Sequence, residues 1–150
     1  MTATTQAVRE FGASDVLWLT NHFVAPATAG LDAEPAAPSS LLRFDRLEQL
    51  AAPDGVDTRF GEIDPEALVE IARDRVSPYT FETSPWSDFD NDESLATNGA
   101  IYQIVFAPER RAFWVAAGEV PVPLQPFVGF DLDELLGAPG AQPPVPAIIE

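Results

Sequence analysis

The chain contains no cysteine and no lysine, and has a single histidine and a single methionine among its 150 residues. Without thiols, this polypeptide has no disulfide scaffold, no thiolate metal site and no cysteine nucleophile. One histidine, His22, excludes a His-rich metal centre. Basic side chains are also scarce: there are 8, all of them Arg, against 24 acidic ones, for a formal net charge of -16. Such a surface repels phosphates, and no basic stripe offsets it, so nucleic acid is excluded as a partner. No apolar run approaches the ~18–20 residues of a membrane span. The opening Met1–Arg9 lacks the apolar stretch of a secretory signal. A cytoplasmic protein without a membrane partner is therefore expected.

Hydrophobic residues make up 46% of the chain and there are 15 prolines. That is enough apolar material for a real core in one domain, or in half of a larger one. The absence of Lys, with many Ala, Pro and Asp, fits a GC-rich genome or a salt-adapted cytoplasm, in which screening offsets self-repulsion.

Along the chain, residues 1–14 read as a loose polar arm. Val16–Thr20 reads as a short buried strand. The Ala/Pro/Thr/Gly-rich stretch Ala25–Pro38 reads as a connection. Ser39 or Ser40 is expected to cap a helix over Ser40–Ala52, with Leu41, Phe44, Leu47 and Ala51 on one face and Leu50 beside them; Pro53-Asp-Gly55 ends it. Asp64-Pro65-Glu66 is a helix-start signal, and the following helix carries Leu68, Ile71, Ala72 and Val76 inward and ends before Pro78. An acidic loop, Ser77–Asn98, is expected to be pinned by Trp86 and Phe89. Then comes a hairpin, with Gly99–Phe106 and Ala112–Ala117 as strands and Pro108–Arg111 as the turn. Apolar groups on both strand faces predict a sheet covered on both sides. Pro121, Pro123 and Pro126 then interrupt pairing. Asp131-Leu-Asp-Glu134 resembles a capping box for a short helix closed by Gly137, and 138–150 reads as a Pro-rich flexible tail. The fold class is α+β, with 15–137 as the structured portion and a sheet that continues in chain outside this one.

Few constellations carry chemistry. Thr20-Asn21-His22-Phe23 follows the first strand, where side chains are commonly presented to a cleft. There the Asn21 amide is able to donate to a developing oxyanion; in the simpler reading Asn21 caps a turn and His22 packs on Pro26. Arg43 and Arg46 lie near Asp45 and Glu48, either as helix-surface ion pairs or as a carboxylate clamp. Asp88–Asp92 has the alternating carboxylates of a calcium loop, but Glu93 stands where that loop needs Gly and Gly99 where it needs Glu. No metal and no cofactor is expected.

Taken together, Leu19-Thr20-Asn21-His22-Phe23, Ser39-Ser40 with Arg43 and Arg46, Thr97, Tyr102–Pro108, Arg111–Gly118 and Phe127–Leu132 resemble a known pattern. It is that of the C-terminal half of penicillin acyltransferase-like N-terminal-nucleophile hydrolases, relatives of the choloylglycine hydrolases. The resemblance runs from about Trp18 to Leu136. It implies part of a four-layer αββα sandwich and a chemistry of amide cleavage or acyl transfer. An N-terminal Cys attacks the carbonyl, and its own α-amino group acts as base. Asn21 matches the oxyanion donor, while His22, Arg43 and Arg46 match the substrate side. The chain has neither the Cys nor the N-terminal half, so it is expected to be inactive alone. A Cys-bearing half or homologous subunit would complete it on a small amide or acyl substrate. The alternative is a non-catalytic, acidic α+β binding or assembly module.

Overall fold

Proline sets where the first two helices begin. Helix α1 spans Pro38–Ala51, with Pro38 in its first turn, where a missing N–H costs nothing. No side chain caps it: Ala37 is the N-cap, and neither Ser39 nor Ser40 takes that role. Beyond its end the chain turns back so tightly that a Cβ at Gly55 would lie 2.2 Å from the Gln49 carbonyl oxygen. Helix α2 spans Pro65–Ala72, and here the Asp64 carboxylate accepts from the Ala67 N–H at 2.8 Å. The computed structural model describes residues 16–28, 37–87, 93–138 and 146–150. The expected N-terminal arm and the Asp88–Asp92 loop lie outside the described residues, as does Phe89.

Four antiparallel strands form one sheet in the order β1-β2-β3-β4: β1 Tyr102–Ala107, β2 Ala112–Ala117, β3 Phe127–Asp131 and β4 Ile148–Ile149. The β1–β2 hairpin pairs Tyr102 with Ala117 through Ala107 with Ala112. A single 3-10 turn, Pro108–Arg110, joins them, and Arg111 adopts the left-handed region at φ 51. Arg111 also anchors the end of the sheet: its carbonyl accepts from the Leu132 N–H, and its guanidinium pairs with Asp133. The proline segment redirects the chain through a 3-10 turn, Val122–Leu124, into β3. Helix α3, Leu132–Leu135, starts on Asp131, whose carboxylate accepts from the Glu134 N–H, and Gly137 follows in the left-handed region at φ 67.

Side-chain alternation gives the sheet two unlike faces. On one, Val105, Trp114 and Phe127 pack with the small Ala107, Ala112 and Ala116 beneath Val69 of α2, closing over Val122 and Ile149. Trp114 is fully buried, and its indole N–H donates to the Pro146 carbonyl at 2.7 Å. On the other face the register lines up Phe106, Phe113 and Phe130 in one row and Ile104, Val115, Val128 and Ile148 in the next. The Phe113 ring stacks on Phe130 at 5.2 Å and meets Phe106 at 5.7 Å. Phe106 is 57% exposed and Ile148 51%. Among the described residues this face is bare, which corrects the expectation of a sheet covered on both sides.

Two more expectations are corrected. Val16–Thr20 forms no strand; it lies against α1, with Trp18 on Phe44 at 6.1 Å and the Thr20 hydroxyl donating to the Ser40 carbonyl at 2.9 Å. Helix α2 ends at Ala72, well before Val76, which instead makes an isolated bridge to Thr83. Arg73, just past the helix, reaches the carbonyls of Pro123, Gln125 and Glu150 and lies over the Phe127 ring at 5.2 Å. Burial lowers its pKa, an effect the charge of Glu150 partly opposes. The acidic loop is pinned at Trp86, where Arg75 stacks at 4.2 Å and Asn98 donates to the backbone carbonyl.

Candidate functional site

The segment after Trp18 and the first turns of α1 build one cluster. Ser40 is 1% exposed, and its hydroxyl lies 2.9 Å from His22 Nδ1. Thr20 Oγ1 is 3.1 Å from the same nitrogen, and the imidazole meets Phe44 edge-on at 5.3 Å. Three contacts therefore fix the ring. A hydroxyl beside an imidazole has the composition of a nucleophile and its base, but Ser40 is sealed from any substrate, so the pair positions His22 and does not attack. His22 is thus held by Ser40 and Phe44 of α1 and by Thr20.

Asn21 is exposed, and its Oδ1 accepts from Arg43 Nη2 at 3.3 Å. Arg43 is steadied in turn by its Nε donating to the Ser39 carbonyl at 3.1 Å. With the amide oxygen turned to the guanidinium, the other polar end of Asn21 is its NH2, a donor of the kind an oxyanion accepts. Thr20, Asn21, His22 and Phe23 line a shallow depression of about 180 Å³. The structure thus brings Asn21, His22 and Arg43 to one corner of the molecule.

Arg46 goes elsewhere. It is 3% exposed and engages Asp74 through two parallel bonds of 2.9 and 2.8 Å. Its Nη1 also donates to Gln49 at 2.9 Å and to Asp57 at 2.5 Å. Burial pulls its pKa down, but the hydrogen bonds and charges of Asp74 and Asp57 outweigh that, and the net direction is up. Those partners leave Arg46 as a clasp between α1 and the segments after each helix, and none of them belongs to the 20–23 segment. Asp45 and Glu48 stand beside Arg46 in sequence, whereas its acidic partners in the fold, Asp57 and Asp74, are distant in sequence and carry no local signal.

Among the described residues no group of three or more His, Asp or Glu side chains is placed to hold a metal ion, and no helix is long and apolar enough to cross a membrane. No family model matches the chain, and neither a curated protein nor a solved structure does.

Proposed function

We propose that the chain is the C-terminal part or subunit of an N-terminal-nucleophile amide hydrolase or acyltransferase, completed by a Cys-bearing partner half. One observation carries the reading: the sheet has a helix on one face and a bare, aromatic face on the other. A second sheet with its own helices, laid on that bare face, would give the four-layer αββα stack, with the rows through Phe113 and Val115 as its dry centre. In such an assembly the partner's terminal thiol adds to the substrate carbonyl while its α-amino group takes the thiol proton. The carbonyl oxygen then becomes an oxyanion, which accepts from Asn21 Nδ2. Collapse of the adduct expels the amine, which takes up that proton, and leaves a thioester for water or a second amine. Arg43 orients Asn21, and His22 walls the substrate side. The assembly is placed in the cytoplasm.

The test is purification of the tagged chain from its native source, with mass spectrometry of any stoichiometric partner and an aryl-amide hydrolysis assay. The reading expects a partner whose mature first residue is Cys, and activity only in the pair. In that pair Asn21→Ala should lower kcat roughly 10²–10³-fold with KM little changed. A stoichiometric partner without such a residue, or an unchanged kcat, rejects the catalytic reading. The alternative, a non-catalytic acidic assembly module, is favoured by the small, open depression at Asn21 and by the local contacts that occupy His22. It predicts a partner but no amidase activity.

A further inference from the structure

Among the described strands, β1 lies at the edge of the sheet and pairs only with β2. Beside it runs an apolar cleft of about 350 Å³, whose wall includes Leu47 of α1, Leu68 and Ile71 of α2, and Ile104, Val105 and Phe106 of β1. Val105 points to the helix-covered face, while Ile104 and Phe106 point to the bare one. A single cleft touches all three only by passing around the strand's outer edge. That edge carries the sequence Tyr-Gln-Ile-Val-Phe-Ala, with no charge, Pro or Gly. Proteins ordinarily blunt an open edge with one of these, or cover it.

The cleft has a polar end. A second depression shares Leu68 and Phe106 with it and continues past Ala107 to Asp64, Glu109 and Arg110. The local balance there is acidic, as is the whole chain at -16. We propose that this edge takes up an extended, cationic segment of a partner protein as an additional strand antiparallel to β1. Alternate apolar side chains of the segment fill the cleft, and a Lys or Arg near its N-terminal end meets Asp64 and Glu109. Backbone bonds along β1 supply affinity, and the cleft and carboxylates supply selectivity. Charge decides against a second copy, because pairing β1 with itself would bring two chains of -16 together. The proposal concerns the outer edge of the sheet, which shares Ile104 and Phe106 with its bare face, and stands whether or not the assembly is catalytic.

The immobilised full chain is screened against a phage-displayed library of random ten-residue peptides, and an enriched sequence is then measured in solution by fluorescence anisotropy. Enrichment should favour apolar residues at alternate positions with Lys or Arg toward the N-terminus. N-methylation of the peptide amides that face β1 should weaken binding roughly tenfold or more, and Glu in place of the cation should weaken it further. Amide exchange in β1 should slow when the peptide is bound. These changes lie in the peptide, so the fold of the chain is not at issue. No enrichment, enrichment with helical spacing or acidic residues, or indifference to N-methylation overturns the proposal. So does a dimer in sedimentation whose β1 amides are already protected without peptide, which assigns the edge to a second copy. Any of these results leaves the Cys-partner test of the catalytic reading intact.

Discussion

Replacing Arg46 by Ala is the most discriminating perturbation of the fold. The guanidinium is 3% exposed and Asp74 only 13%, so truncation leaves a carboxylate in a largely dry site, with the Val76 N–H at 3.1 Å still donating to it. Removing one member of a buried pair costs about 3–5 kcal/mol. The second partner, Asp57, is 45% exposed, and its pair with Arg46 contributes about 0–1 kcal/mol. Against a total stability of ~5–15 kcal/mol, the first loss is large and the second marginal. In a domain of this length each kcal/mol moves Tm by ~2–4 °C, so Arg46→Ala should lower it by roughly 6–20 °C. Equilibrium urea unfolding, followed by tryptophan emission, reads Arg46→Ala and Asp57→Ala and checks that the slope is unchanged. Arg46→Lys should fall between, since it keeps charge but loses the planar fork. The clasp would be refuted if Arg46→Ala cost under about 1 kcal/mol, or if Asp57→Ala cost as much as Arg46→Ala. Because Arg46 takes no part in the Asn21 corner, the folded fraction of Arg46→Ala should retain whatever activity the assembled pair has.

Three further outcomes are expected. The Tyr79 hydroxyl donates to Asp45 at 2.6 Å, and that bond and the nearby charge raise its pKa above the ordinary 10.0. The neutral phenol is the favoured form, so its contribution to stability is whole below pH 10.0 and disappears as pH rises through the higher folded value; absorbance titration at 295 nm should show a late phenolate that Tyr79→Phe removes. The bare sheet face should bind anilinonaphthalene sulfonate in the native state, and Phe113→Thr should dim that fluorescence while leaving the far-ultraviolet spectrum unchanged. Gly55→Ala should destabilise by more than a typical surface change of about 0.5 kcal/mol, because its methyl meets the Gln49 carbonyl; a neutral result in urea would show that the turn has room.

Local chemistry made several elements legible. Asp64-Pro65-Glu66 names the start of α2 because a cap, a fixed φ and a favourable charge fall in sequence, and the structure uses the first two directly. The β1–β2 hairpin was readable from alternation and its proline turn, and the cap at Asp131 from its spacing to Glu134. What escaped depends on partners distant in sequence. Val16–Thr20 is apolar enough for a strand, but Phe44 and Ser40 occupy it and no ladder forms. Strand β3 follows a run of prolines that reads as an ending, although the 3-10 turn they make feeds the sheet. Strand β4 is two residues long and shows no period at all. At the candidate site, the proximity of Asn21 and His22 is given by adjacency, and Arg43 joins them only because α1 packs across the segment. The fate of Arg46 required the tertiary fold.

Parity along β1 and β2 divides their work. Residues 105, 107, 112, 114 and 116 serve the interior under α2, and their neighbours at 104, 106, 113 and 115 serve whatever lies beyond the sheet. Substitutions in the second group can therefore redraw this protein's acquaintances while its own architecture stays put, and a chain so arranged is free to change allegiance without being rebuilt.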